Sequence, residues 1–350
     1  MKKGIKVTAK RQVPIMLPEV MTKVYQPNRV TDGHMDFTLY QGRIFNFIML
    51  KLQDAVKASM NNKKYDQLEM FRSPDVIRIP IPLNEIVDNP SLYGKVKDAI
   101  QDMSARQVHF PFTNAQGIEM RRFTGFIRAE IPERPNYTSD VIIEIETRVA
   151  EILVNIDKNA QNLPINYTSY YYEIGQHSKC VYTFPIYRFL SSWKSKGGVS
   201  IAIDDLKERL SLADKYDRFF DFKKRVLDVV QSELLEKSDL WFNCNTKDFK
   251  TFENGKVILN FKIITPEFKK ELAKSDDYIL NMLKNHYQLS SSQLEPLTKI
   301  FKDDDLDRKL IIKRIGEIEE FIYKNNENIN KPPIENKGSY MLKALLKQFA

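Results

Sequence analysis

An α+β fold, built twice from one supersecondary unit and followed by an all-helical extension, is what this 350-residue sequence predicts. Three observations predict it. Ahead of Pro266 the hydrophobic pattern switches repeatedly between the helical and the strand period. Two turns, TNAQG and ENGK, each join segments of β character, which is how a hairpin is written. Beyond Pro266 the strand period disappears, and only amphipathic helical runs follow.

The elements can be justified in order. Residues 1–34 carry Lys2, Lys3, Lys6, Lys10, Arg11, Lys23 and Arg29 against Glu19 alone up to residue 30, so they read as a basic arm ahead of the first folded element. Met35 to Met60 reads as one long apolar helix, with Phe37, Ile44, Phe45, Phe47 and Ile48 available for burial. VIRIPIPLNEIV gives a short strand and a short helix, and Leu92 to Gln107 a helix whose stripe is Leu92, Val96, Ala99, Ile100 and Met103. VHFPF and MRRFTGFIRAEI then form a hairpin, with Arg121 and Arg122 at its wing, before the strand DVIIEIE and the helix TRVAEILVNI.

The pattern recurs. Cys180 to Lys196 reads as a helix ended by Gly197 and Gly198, VSIAI as a strand, and Asp204 or Asp205 as the N-cap of DLKERLSL. KYDRFFDFKKRVLDVVQSELLEKSDL, Lys215 to Leu240, supplies the third helix; LWFNCNTKDF and VILNFKII form the second hairpin, with Lys250 and Lys256 flanking its tip. Helix, strand, helix, helix, hairpin is the winged-helix layout. The expected organisation is a basic arm (1–34), a first winged helix (35–175), a second winged helix (176–265) and a helical domain (266–350).

Composition bounds the function. A net charge of +8 and an isoelectric point near 9.1 favour a polyanionic partner. Cys180 and Cys244 lie far apart with no CxxC spacing, which indicates neither a disulfide framework nor a zinc site and fits a reducing cytoplasm. No stretch approaches the ~20 apolar residues needed to span a bilayer, so no membrane role is expected.

The third helix of the second unit is the most informative segment. A wheel places Phe219, Phe222, Val226, Val229, Val230 and Leu234 on one side as a core stripe, and Arg218, Lys224, Arg225, Gln231 and Ser232 on the other. Cations there can neutralise phosphates or reach guanine edges, and Gln and Ser can hydrogen-bond bases or backbone. A winged helix presents this helix to the major groove and its hairpin to the neighbouring backbone. By the same layout Lys97 and Gln101 on the third helix of the first unit, with Lys224 and Arg225 on that of the second, would read or flank bases, and Arg121, Arg122, Lys250 and Lys256 would hold backbone at the wings.

Several chemistries lack their residues. Gly94-Lys95 and Gly255-Lys256 have neither the upstream Gly nor the following Ser or Thr of a phosphate-cradling P-loop. His34, His109, His177 and His286 are isolated, so a paired-His nickase site is not indicated, and YTSYYYEI reads as strand packing rather than a nucleophile. Asp303, Asp305 and Asp307 mimic the start of a calcium loop but are followed by Arg308 and Arg314 where Gly and Glu are required. No cofactor, metal or enzymatic activity is expected.

The segment from Val181 to Phe242 resembles the C-terminal winged helix of iteron-binding plasmid replication initiators of the RepE and pi protein type. The residues carrying the resemblance are Tyr187, Trp193, Lys194, Gly197, Leu206, Leu210, Lys215, Tyr216, Phe219, Phe222, Lys223, Lys224, Arg225, Val226 and Leu227. It is specific over residues 180 to 264 and rests mainly on element order over 35 to 175. The resemblance implies double-stranded origin repeats as partner, contacted by Lys215, Arg218, Lys223, Lys224 and Arg225. It also implies origin opening, recruitment of host helicase or initiator proteins, repression of the protein's own promoter, and a monomer–dimer equilibrium through the first winged helix. IENKGSYMLKALLKQF resembles a segment near the end of other replication proteins. A tandem winged-helix repressor without initiator activity needs the same surface and is the alternative.

Overall fold

The computed structural model describes residues 21–33, 36–64, 75–113, 116–132, 141–302, 306–328 and 332–349. In chain order these form β1 (Lys23–Pro27), α1 (Asn28–Asp32), α2 (Leu39–Lys51), α3 (Gln53–Met60), β2 (Val76–Ile81), α4 (Leu83–Ile86), α5 (Tyr93–Ser104), β3 (Gln107–Thr113), β4 (Glu119–Gly125), β5 (Arg128–Glu130), β6 (Val141–Glu146), α6 (Thr147–Val154), β7 (Tyr167–Tyr171) and α7 (Tyr172–His177). The second unit follows with α8 (Thr183–Ser192), β8 (Gly198–Ala202), α9 (Ile203–Arg209), α10 (Phe219–Phe222), a π-helical segment (Lys223–Leu227), α11 (Asp228–Lys237), β9 (Lys250–Glu253) and β10 (Lys256–Lys262). Both units belong to one compact body, and a single apolar core runs through them from Ile44, Phe45 and Ile143 to Tyr187, Leu234 and Phe261.

The two units share one sheet topology. In the second, β10 lies between β8 and β9; in the first, β6 lies between β2 and β5. The topological wing of the first unit is therefore the β5–β6 hairpin. The β3–β4 hairpin, expected to be that wing, is a separate two-stranded sheet inserted after α5. This corrects the placement of Arg121 and Arg122. They sit in the middle of β4, with Pro111 and Phe110 as backbone partners, and residues 133–140 between β5 and β6 lie outside the described residues.

Other boundaries differ for local reasons. Part of the expected basic arm is folded: β1 pairs antiparallel with β7, Val24 and Gln26 facing inward. Residues 1–20 and His34 lie outside the described residues. The helix expected from Met35 begins at Leu39, where Thr38 and Gln41 form a capping box, and divides at Leu52. There the Gln53 side chain accepts from the Tyr25 N–H at 2.8 Å and donates to the Tyr25 carbonyl at 2.9 Å and to the Met49 carbonyl. A side chain bonded into the helical ladder breaks its course, and here the break docks the helix on β1. The helix expected from Cys180 starts at Thr183 and closes in a 3₁₀ turn at Lys194–Lys196. Ala202, not an aspartate, caps α9; Asp204 and Asp205 occupy its first turn, where carboxylates favour the positive helix end. The expected strand LWFNCNTKDF does not form: Lys247–Phe249 is a 3₁₀ turn, and β9 begins after it at Lys250. The tyrosine-rich strand is β7: Tyr170 is buried and meets Phe184 and Tyr187 edge-on.

Residues from Ile264 form a second compact unit of four helices, α12 (Pro266–Tyr287), α13 (Ser291–Ile300), α14 (Arg308–Glu327) and α15 (Lys337–Phe349). Its own core gathers Ile279, Leu283, Leu297, Ile311, Ile315, Met341 and Leu345. Thr265, Ser290 and Asp307 cap three of the helices through side-chain oxygens. Asp303 and Asp305 lie outside the described residues. Arg308, 5% exposed, is bound to Asp276 at 2.9 Å and donates to the Phe301 carbonyl at 2.7 Å, so this buried charge is both paired and hydrogen-bonded.

Candidate nucleic-acid interface

The third helix of the second unit is aimed by its own leading turn. Tyr216 adopts φ +59°, and its carbonyl accepts from the buried Lys207 ammonium at 2.8 Å. The Tyr216 ring packs against Phe222, the first fully buried side chain of the helix. Lys223–Leu227 then winds as a π-helix, which takes up one more residue per turn than an α-helix and rotates the following faces by about one position. Val226 and Leu227 are consequently both 0% exposed, whereas Val229, expected in the apolar stripe, is 40% exposed.

That rotation sorts the expected DNA-binding residues. Lys215, Arg218, Lys224, Arg225 and Ser232 are exposed. The side chains of Lys215, Arg218 and Arg225 form no hydrogen bond or ion pair among the described residues. Lys224 lies 5.9 Å from the centroid of Phe220, itself 68% exposed. Lys223 is half-buried instead, donating to Asp228 at 2.6 Å and to Asn245 at 2.7 Å. Gln231 accepts the Cys244 backbone N–H at 2.7 Å, which fixes the segment leading to the wing.

A small electrostatic network results. The Cys244 thiol donates to Asp228 at 3.1 Å. Burial, then the Asp228 acceptor, pushes the thiol up to about 12. For Lys223, burial alone would lower the pKa, but the bonds to Asp228 and the Cys244 group outweigh it and hold the ammonium above its ordinary value. For Asp228, burial works in the opposite sense, and Lys223 with the Cys244 thiol holds the carboxyl below the usual carboxylate range.

The wing turns tightly. Asn254 and Gly255 have φ +50° and +78° between the paired Glu253 and Lys256, the two positive φ values of a type I′ hairpin, which Asn-Gly accommodates without strain. Lys256 stands exposed at the tip. Lys250 is not at the tip but opposite Leu259 at the start of β9, with its ammonium 4.5 Å from the Phe219 ring, which joins the wing to the helix. Phe252 is 73% exposed and shares the Lys250 face of β9 by the two-residue period. Sequence reasoning passed over it, although the alternation in KTFE beside the turn places it on that face.

In the first unit Lys97 is half-buried on α5 and Gln101 exposed, among Lys95, Asp98 and Asp102, also exposed. The Arg121 and Arg122 side chains lie outside the described residues. The helix expected from Lys215 begins at Phe219, so the fold sets Lys224 and Arg225 on the third helix, Lys215 and Arg218 on the turn leading into it, and Lys250 and Lys256 on the wing, while the four candidates of the first unit sit apart on α5 and the inserted hairpin. Among the described residues no cluster of His, Cys, Asp and Glu could hold a metal, and no helix is long and apolar enough to cross a membrane.

Residues 202–264, which contain α9, this third helix and its wing, match the family model described as Initiator Rep protein, WH2. These residues are thus similar to the second winged helix of initiator Rep proteins. The Rep match begins in β8 and ends at the start of the helical unit. A solved structure described as a crystal structure of Pi initiator protein in complex with iteron DNA is similar to this chain with a TM-score of 0.50 and 18% identity, covering 71% of this chain and 98% of that one. At that identity the likeness speaks for the fold alone, one of winged helices. No curated protein matches the chain.

Proposed function

We propose that this chain is a plasmid replication initiator that binds repeated origin DNA, iterons, as double-stranded DNA through the third helix and wing of its second winged helix. The observation that carries the reading is the set of exposed cations Lys215, Arg218 and Arg225, whose side chains form no hydrogen bond or ion pair among the described residues, together with Lys224, on the third helix and the turn leading into it, which the Rep family model covers. Lys224 and Arg225 read or flank bases; Lys215, Arg218, Lys250 and Lys256 hold phosphates; Ser232 extends the polar face. Lys223 and Gln231 act from behind, by fixing Asp228 and the approach to the wing. Lys97, Gln101, Arg121 and Arg122 make weaker backbone contacts from the first winged helix.

Opening of an AT-rich neighbour, recruitment of host helicase or initiator proteins by the helical unit, a monomer–dimer equilibrium through the first winged helix, and repression of the protein's own promoter complete the proposal. It is a binding function in the cytoplasm and not an enzymatic one. Footprinting of the purified protein on DNA adjoining its own gene tests it. Protection of direct repeats beside an AT-rich stretch supports initiation. Protection of a lone inverted repeat supports the repressor alternative, and metal-dependent nicking or primer synthesis overturns the non-enzymatic reading. Binding must also weaken steeply with salt, since each neutralised phosphate contributes a slope of about −0.9 in log K against log salt.

A further inference from the structure

A cleft separate from the recognition surface lies where the first helices of the two winged units meet. Its walls include Thr38 and Arg43 at the start of α2, and Ser178, Phe184 and Arg188 on the segment entering and forming α8. Arg188 is 4% exposed, with its guanidinium 4.7 Å from the Phe184 ring and 5.3 Å from the Phe45 ring. Its Nε and Nη1 are buried without a hydrogen-bond partner among the described residues. Burial lowers its pKa, and the one side chain opposing that effect is the Tyr170 phenol; no carboxylate contributes.

Arg43 is partly in the same condition. Its Nη1 and Nη2 donate to the Ile86 carbonyl at 3.3 Å and the Ser178 carbonyl at 2.8 Å, while its Nε is buried without an acceptor. Asp88 and Glu233 stand near Arg43, but the Glu233 oxygens already accept from the Lys179 and Cys180 backbone N–H groups and the Thr183 hydroxyl. A buried guanidinium without an anion is costly, and ring faces compensate for only part of the lost hydration. Two such groups lining one solvent-connected cleft are complementary to an oxyanion.

We propose that the Arg43–Arg188 cleft is an anion site for a phosphate-type oxyanion, either inorganic phosphate or the phosphate of a mononucleotide. Bound there, the anion balances the two guanidinium charges that line the cleft and ties α2 to α8, the leading helices of the two winged units. The inference does not rest on DNA reading, because none of the exposed recognition residues lines the cleft.

The test is a thermal melt of the full-length chain in inorganic phosphate, in AMP, and in chloride of matched ionic strength. A saturable rise of a few degrees in Tm is expected, and the probe with the lower half-saturation concentration identifies the source. Arg188→Met should abolish that rise while leaving Tm in chloride unchanged or higher, since an apolar side chain relieves the unpaired charge. Should that variant fail to fold, phosphorus-31 line broadening on the wild-type chain, lost in Arg188→Lys, decides the same question. Identical melts in phosphate, AMP and chloride mean that water alone satisfies the cleft, and they overturn the proposal. So does a phosphate shift that survives in Arg188→Met.

Discussion

Replacing Arg225 with alanine separates folding from reading. The side chain is exposed and makes no hydrogen bond or ion pair among the described residues, so its loss should change stability by no more than about 0.5 kcal/mol. On DNA a bidentate contact to a base edge contributes about 1–3 kcal/mol of discrimination. At 1.4 kcal/mol per tenfold, that corresponds to binding weakened about 5- to 140-fold. The assay is fluorescence anisotropy on the protected repeat and on single-position variants of it, at several salt concentrations, with Tm measured in parallel. A base-reading Arg225 predicts a loss concentrated at one position of the repeat, with specificity relaxed there. A phosphate anchor predicts a uniform loss and a salt slope reduced by about 0.9. Affinity within twofold of wild type on every duplex would refute the assignment of this helix face to DNA.

The π-helical rotation makes a paired prediction: Leu227→Ala, at 0% exposure, should lower stability by about 2–5 kcal/mol in urea unfolding, whereas Val229→Ala should be nearly neutral. An unbroken α-helix would reverse that order. Asp228 has a depressed pKa in the fold, so its contribution is present above the unfolded value of about 3.9 and is lost as pH falls through the lower folded value; Lys223, raised, contributes below about 10.4 and loses this as pH rises through its folded value. The stability gap between wild type and Asp228→Asn should therefore be flat around neutrality and close in acid, and melts across pH show whether it does. Phe252→Ala should leave Tm unchanged but reduce distortion of bound DNA, read by 2-aminopurine fluorescence beside the site, because an exposed aromatic on a basic wing is placed to wedge a base step; equal fluorescence for both proteins would remove Phe252 from the interface.

The order of elements was legible because each helix and strand carries its own period. What each strand pairs with is not written locally, which is why the β3–β4 hairpin passes for a wing until β6 is seen between β2 and β5. β1 was hidden for a different reason. Its inward residues include Gln26, a polar side chain buried by donating to Thr31 at 2.7 Å, and its neighbours Lys23 and Arg29 give the stretch the composition of a solvated arm. The exposed face of the third helix was legible at Lys224 and Arg225. Val229 and Leu227 were exchanged because a wheel assumes a constant turn, and a π segment has no sequence signature that periodicity detects.

The same π segment explains how a helix of mixed charge can serve a polyanion. Asp228 lies among the residues that would face DNA, and a free carboxylate there would repel phosphates. The wide turn brings Lys223 back onto Asp228 at 2.6 Å, with the Cys244 thiol donating to the same oxygen. Lys223 is thereby withdrawn from the exposed face and Asp228 is neutralised in place, so that Lys224 and Arg225 project without competition from Asp228. On α5 of the first unit no such withdrawal occurs: Asp98 and Asp102 stay exposed beside Lys95 and Gln101. Two helices in one topology thus differ in how their acids are disposed, and that difference argues for the second as the principal reader. Lys223→Met should accordingly weaken DNA binding by freeing Asp228, since the Lys223 ammonium is held by Asp228 and Asn245, and the double variant with Asp228→Asn should restore it. Additive losses in that cycle would place Lys223 on the DNA instead.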